Sequence, residues 1–88
     1  MKVTFDKAFL KNIKKLRSKD IKEKTATFII ELEEAEQITY ITSVKKLVGD
    51  SYSYRKRLGD YRIGFEINDD IVNMVIIAHR KDIYKSFP

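Results

Sequence analysis

The chain has no cysteine among its 88 residues, so disulfides, thiolate metal ligation and a thiol nucleophile are excluded. It has one histidine, His79, which leaves too few imidazoles for an ordinary zinc centre, and no metal or cofactor is expected. Three glycines and one proline are too few for linkers, and there is no internal repeat or low-complexity tract. Long apolar runs are missing as well. The longest is Met74-Val75-Ile76-Ile77-Ala78, against the ~20 residues needed to span a bilayer. The amino terminus lacks an apolar signal segment, so the expected setting is a soluble, cytoplasmic protein with no membrane partner.

A composition of 43% hydrophobic and 35% charged residues is that of a folded protein. The length suits a single domain, 1–88, with a thin core. Eighteen Lys and Arg against thirteen Asp and Glu give a net charge of +5, which suggests a polyanionic partner: nucleic acid, an acidic protein, or both.

Val3 and Phe5 alternate and suggest a short first strand. From Asp6 to about Arg17, Phe9, Ile13 and Leu16 recur at helical spacing beside Leu10, with Lys7, Lys11, Lys14 and Lys15 around the rest. After a turn at Ser18 to Asp20, Asp20 and Glu23 have the spacing of a capping box. The helix they predict carries a stripe of Ile21, Phe28, Leu32 and Ala35, with Ile29 adjacent. Its glutamates, Glu31, Glu33, Glu34 and Glu36, read as a solvated face. Beyond Ile38 the period falls to two, which predicts strands near Ser43 to Val48, Tyr52 to Leu58, Tyr61 to Asn68 and Ile71 to His79. The expected architecture is α+β, a short strand and an αα-hairpin packed on a twisted, mainly antiparallel sheet.

A Gly59-Asp60 loop of type II′ between two alternating runs sets a register in which Arg57 faces Arg62 and Arg55 faces Gly64. Tyr52, Tyr54, Leu58, Tyr61, Ile63, Phe65 and Ile67 then share the core face, and Arg55, Arg57 and Arg62 share the other. Two arginines opposite each other repel and call for an anion or a carboxylate between them. Gly64 leaves room above that surface. Continued through an Asp69-Asp70 loop, the pairing places Val72, Met74, Ile76 and Ala78 in the core and His79 beside the arginines, with Arg80 adjacent. Such a cluster suits phosphate, and His79 is the side chain best able to move a proton near neutrality.

The run Tyr54-Arg55-Lys56-Arg57-Leu58-Gly59-Asp60-Tyr61-Arg62-Ile63, followed by His79-Arg80-Lys81-Asp82-Ile83-Tyr84, resembles the RelE toxins of bacterial and archaeal toxin–antitoxin modules. The resemblance spans nearly the whole chain and implies a small RelE-like domain. It implies a ribosome-dependent, metal-independent endoribonuclease that cleaves mRNA and so inhibits translation, with ribosome, mRNA and a cognate acidic antitoxin as partners. The reaction implied is attack of a ribose 2′-OH on the adjacent phosphate, giving a 2′,3′-cyclic phosphate. Arg62 and Arg80 match the family's transition-state arginines, and Tyr84 matches the tyrosine that stacks on a base. Arg55 and Arg57 stand where well-known members carry lysines. Since a guanidinium does not give up its proton, the base is His79 or Tyr84, with His79 ranked first as acid or base. The expected catalytic set is Arg57, Arg62, His79, Arg80 and Tyr84, with Arg55, Lys56, Lys45 and Lys46 binding substrate. The related ParE toxins share the fold and are described as gyrase inhibitors, which leaves a protein target or a non-catalytic RNA-binding module as the alternatives.

Overall fold

The computed structural model describes residues 1–87. Its elements run β1 (Lys2–Phe5), α1 (Lys7–Lys15), α2 (Lys19–Glu34), a single 3-10 turn at Ile38–Tyr40, β2 (Val44–Lys46), β3 (Ser53–Leu58), β4 (Tyr61–Asn68), β5 (Ile71–His79) and the short α3 (Ile83–Ser86). The strands form one sheet in the order β1-β5-β4-β3-β2, with β1 parallel to β5 and the other pairs antiparallel. This is the expected α+β architecture, extended by α3, whose four residues are too short to show a helical period.

Both long helices bury their apolar stripes on one face of the sheet. Phe9 and Leu16 of the first helical segment, and Ile21, Phe28 and Leu32 of the second, meet Leu58, Ile63, Phe65, Val72, Met74 and Ile77. Aromatic packing centres on Phe65, which stacks on Tyr54 across the β3–β4 ladder and meets Phe28 edge-on, each with ring centroids 5.6 Å apart. Thr25 completes the α2 stripe between Ile21 and Phe28. It is buried because its hydroxyl donates to the Ile21 carbonyl at 2.7 Å.

The residue that caps α2 is Ser18, whose Oγ accepts from the Ile21 N–H at 3.2 Å; Asp20 lies inside the first turn, so the expected Asp20–Glu23 capping box is not the device used. At the β3–β4 turn Gly59 has φ +61 and Asp60 does not share the left-handed region, which is the predicted type II′ geometry. The strand before it is entered through Asp50, whose carboxylate accepts from Ser53 Oγ and from the Tyr52 and Ser53 N–H groups. These bonds, the Ser53 hydroxyl first, hold the Asp50 carboxyl below its ordinary pKa.

The expected parity of β5 changes partway along the strand. Asn68 pairs with Ile71 as the Asp69-Asp70 loop requires, but Gly64 pairs with Ile76 while Phe65 pairs with Met74. Val75 is therefore an extra residue, a β-bulge. Beyond it Ile77 lies in the core, and Ile76 and Ala78 pack on the other side of the sheet with Val75, against Leu47, Ile83 and Phe87. Ile76 and Ala78 were expected in the core and are not there. The five-residue apolar run carries no alternation because both faces of the sheet are covered at this point.

Candidate functional site

On the sheet face away from the long helices, Ser43, Val44, Lys45, Arg55, Arg57, Arg62 and Tyr84 line a groove of about 310 Å³. Adjacent strands bring the cations together. Lys45 of β2 pairs with Arg55 of β3, and Arg57 of β3 pairs with Arg62 of β4, as the hairpin register predicts. Four permanent or near-permanent positive charges within three neighbouring strands repel one another, an arrangement that an anion would relieve.

Each arginine is held differently. Arg62 Nη1 donates to the Gly59 carbonyl at 2.7 Å and the Tyr61 carbonyl at 2.8 Å, so the turn fixes the guanidinium from below. The Arg55 guanidinium carbon lies 4.5 Å from the centroid of the Tyr84 ring, a cation–π contact that joins α3 to β3. Arg57 is held through its backbone, whose N–H donates to the Ser43 carbonyl at 2.9 Å, and Ser43 has φ +60, a left-handed conformation uncommon for serine, at the groove wall. Arg80 stands at the turn end of the sheet, outside the groove lining, 3.8 Å from the Asp60 carboxylate. Both partners are more than half exposed, so this ion pair contributes little and is readily exchanged for another anion.

Besides Arg80, three residues expected at this surface lie elsewhere, turned toward the opposite face of the sheet. His79 follows the bulge, pairs with Tyr61 and meets the Tyr61 ring edge-on at 5.6 Å, on the side of the long helices. Its Nδ1 accepts from the Lys81 N–H at 3.2 Å, a turn contact. Lys56 pairs with Ile63 and lies 8% exposed among core residues, its Nζ donating to the Thr42 carbonyl at 2.8 Å over the Phe28 ring. Lys46 pairs with Tyr54 and also faces away from the arginines. Strand parity already places Lys56 with Ile63 and Lys46 with Tyr54, so both were detectable once the register was written out. Val44 and Ser43 were not singled out from the sequence, where neither has chemistry to mark it.

Burial pushes the Lys56 ammonium below its ordinary 10.5, opposed by nearby Glu31. The folded state thus favours the neutral amine more than the unfolded chain does. Lys56 therefore costs stability at neutral pH, and that cost is relieved as pH rises through the lowered pKa toward 10.5. Lys56→Met, which keeps the stem on Phe28 and removes the charge, should melt at or above the temperature of the unaltered protein at pH 7, since Thr42 is exposed and water can serve its carbonyl. Thermal melts at neutral pH and near pH 10 check both statements; a large loss in the variant at pH 7 would show the ammonium to be a net stabiliser.

Among the described residues, no cluster of histidine, cysteine or carboxylate side chains could hold a metal ion, and no helix is long and apolar enough to cross a membrane. The groove instead offers guanidinium forks, one lysine and one exposed aromatic ring, the means to grip a phosphodiester and stack a base. Residues 3–84 match the family model described as the ParE toxin of the type II toxin-antitoxin system, parDE. Along its full length the chain is 36% identical to Toxin RelE3 of Methanocaldococcus jannaschii, also over that protein's full length. The fold is similar to that in a RelB-RelE antitoxin-toxin complex from Methanococcus jannaschii, with a TM-score of 0.83 and 33% identity over 97% of this chain and 99% of that one. It is also similar to that in an archaeal RelE-RelB complex from Pyrococcus horikoshii, with a TM-score of 0.74 and 28% identity over 90% and 93% of the two chains. The chain belongs to the RelE/ParE family of toxins of type II toxin–antitoxin systems.

Proposed function

We propose that this toxin is a ribosome-dependent, metal-independent endoribonuclease that acts in the cytoplasm, cutting mRNA in the groove between β2, β3, β4 and α3. The observation that carries the reading is the convergence of Lys45, Arg55, Arg57, Arg62 and Tyr84 on one face. A toxin that acts only by protein contact has no need of so many guanidinium forks along one groove beside an exposed aromatic ring.

The reaction is an in-line transfer at phosphorus. The ribose 2′-oxygen forms a bond to the adjacent phosphorus, the bond from phosphorus to the 5′-oxygen breaks, and the products are a 2′,3′-cyclic phosphate and a 5′-OH. One proton leaves the 2′-OH and one reaches the departing 5′-oxygen. Guanidiniums cannot carry either proton, so Arg57, Arg62 and, from the rim, Arg80 stabilise the charge that grows on the phosphorane oxygens. Among the ionisable groove residues, Lys45 and Tyr84 are the two that can exchange protons, and proton transfer falls to them. Tyr84, 71% exposed, also supplies the ring on which a base stacks.

His79 is withdrawn as acid or base because the bulge turns it to the opposite side. His79→Gln should accordingly leave the cleavage rate of ribosome-bound mRNA unchanged; a loss like that expected of Arg62→Ala would return it to the site. A cognate acidic antitoxin is proposed as the protein partner, in keeping with the +5 charge and with relatives solved as antitoxin–toxin complexes.

The test is to map mRNA 5′ ends in a purified translation system with and without ribosomes. New ends within the codon held in the ribosomal A site, formed only with ribosomes, are the expected result. A second reading comes from the name of the matching family model, ParE: toxicity without new mRNA ends, together with inhibition of gyrase supercoiling, would replace the ribonuclease by a gyrase inhibitor. Salt-dependent RNA binding with neither activity would mark a non-catalytic RNA-binding module.

A further inference from the structure

We propose that Gly64 and Phe87 form a latch that positions Tyr84 over the arginine groove, an inference that rests on the groove being the substrate site. The helix α3 is four residues long, too short to persist by its own hydrogen bonds. It is held by what flanks Tyr84. Ile83 and Phe87 are both buried, and they pack with Leu47, Val75, Ile76 and Ala78 in a small apolar cluster separate from the main core. Tyr84 itself stays exposed.

Gly64 decides whether Phe87 can sit there. A Cβ at this position would lie 2.6 Å from Phe87 Cγ and 2.7 Å from Cδ2, closer than carbon atoms tolerate, and 3.0 Å from Ile76 Cγ2. Gly64 is within β4 and does not have the positive φ of Gly49 and Gly59, so space, and not backbone freedom, explains glycine at this position. Its cross-strand partner is Arg55, whose guanidinium lies against the Tyr84 ring. One cross-strand pair thus seats two rings of the same short segment: Phe87 in the notch of Gly64, Tyr84 on Arg55. The bulge at Val75 serves the same end, since it turns Val75 and Ile76 together toward Phe87.

Because this cluster is separate from the main core, the latch can be opened without unfolding the domain. The chain has no tryptophan, so Tyr84→Trp introduces a single indole, excited selectively over the remaining tyrosines, whose anisotropy reports how firmly the segment is held. In that background Gly64→Ala and Phe87→Ala should each lower the anisotropy, with circular dichroism unchanged. The double variant should fall no further than either single one, and Phe87→Leu should recover most of the loss. With Tyr84 in place, Gly64→Ala should lower kcat for ribosome-bound mRNA by ~10-fold to 10²-fold, the scale of a misplaced catalytic group, and change KM less. Phe87→Ala, in which no Cβ is added at Gly64 and the same loss of kcat is expected, keeps the test open if Gly64→Ala fails to fold. Unchanged anisotropy in the folded variants overturns the latch, as do losses that multiply in the double variant or a loosened segment with full kcat. If the unaltered protein cuts no RNA, anisotropy alone decides the latch, and the failure is then that of the ribonuclease reading.

Discussion

Replacing Arg62 by alanine should lower the rate of mRNA cleavage by ~10²-fold or more, the scale for removing one preorganised donor to a developing oxyanion. The size follows from how the residue is held. Two turn carbonyls fix its Nη1 before substrate arrives, so the charge does not have to be ordered at the moment of reaction. Arg57 faces it across the ladder, and removing Arg62 relieves that repulsion. The variant should therefore fold as well as the unaltered protein or better. Single-turnover cleavage together with a thermal melt separates the two effects: full activity in a folded variant would move the transition state away from this groove. Arg80→Ala is expected to act in the same direction with a smaller loss, since the Arg80 guanidinium makes a weak, exposed ion pair with Asp60 outside the groove lining.

The largest effect on stability is expected from Phe65→Ala. Phe65 is fully buried at 0% exposure, stacked on Tyr54 and edge-on to Phe28, so its loss removes both ring contacts and leaves a cavity between α2 and the sheet. A buried phenylalanine cut to alanine costs ~3–5 kcal/mol. Small domains have only ~5–15 kcal/mol in total, so the variant should be largely unfolded at moderate denaturant concentrations where the unaltered chain stays folded. Leu32→Ala, also at 0% exposure, should cost ~2–5 kcal/mol for the same reason. Denaturant titration gives both values; native-like midpoints would mean that the helices do not pack on this face as described.

Much of this arrangement could be read from the chain because local signals and tertiary packing agree. Phe9, Leu16, Phe28 and Leu32 at helical spacing are the residues that the sheet covers, and Gly59-Asp60 alone sets the pairing of Arg57 with Arg62. Where the reading failed, one face was not simply solvent. The α3 segment covers part of the arginine side, so β5 needs apolar residues on both faces, and Met74 to Ala78 then shows no alternation to reveal the bulge. That single extra residue is enough to carry His79 from the groove to the opposite side. Lys56 misled for a different reason: a lysine beside two arginines looks like part of a basic patch, although its parity puts it with Ile63. Gly64 drew notice as an opening above the sheet, but only the three-dimensional structure identifies Phe87 as its occupant.

The most direct test of the central claim uses two mRNAs that differ in one atom. Ribosomes carrying the unaltered message, and others carrying a copy with a single 2′-deoxynucleotide at the mapped cleavage position, would be incubated with the toxin and the products resolved. The account predicts a 2′,3′-cyclic phosphate and a 5′-OH from the first message and no cleavage of the second, because the attacking oxygen is missing. Equal cleavage of both would contradict attack by the 2′-OH, and an intact first message would contradict the ribonuclease itself.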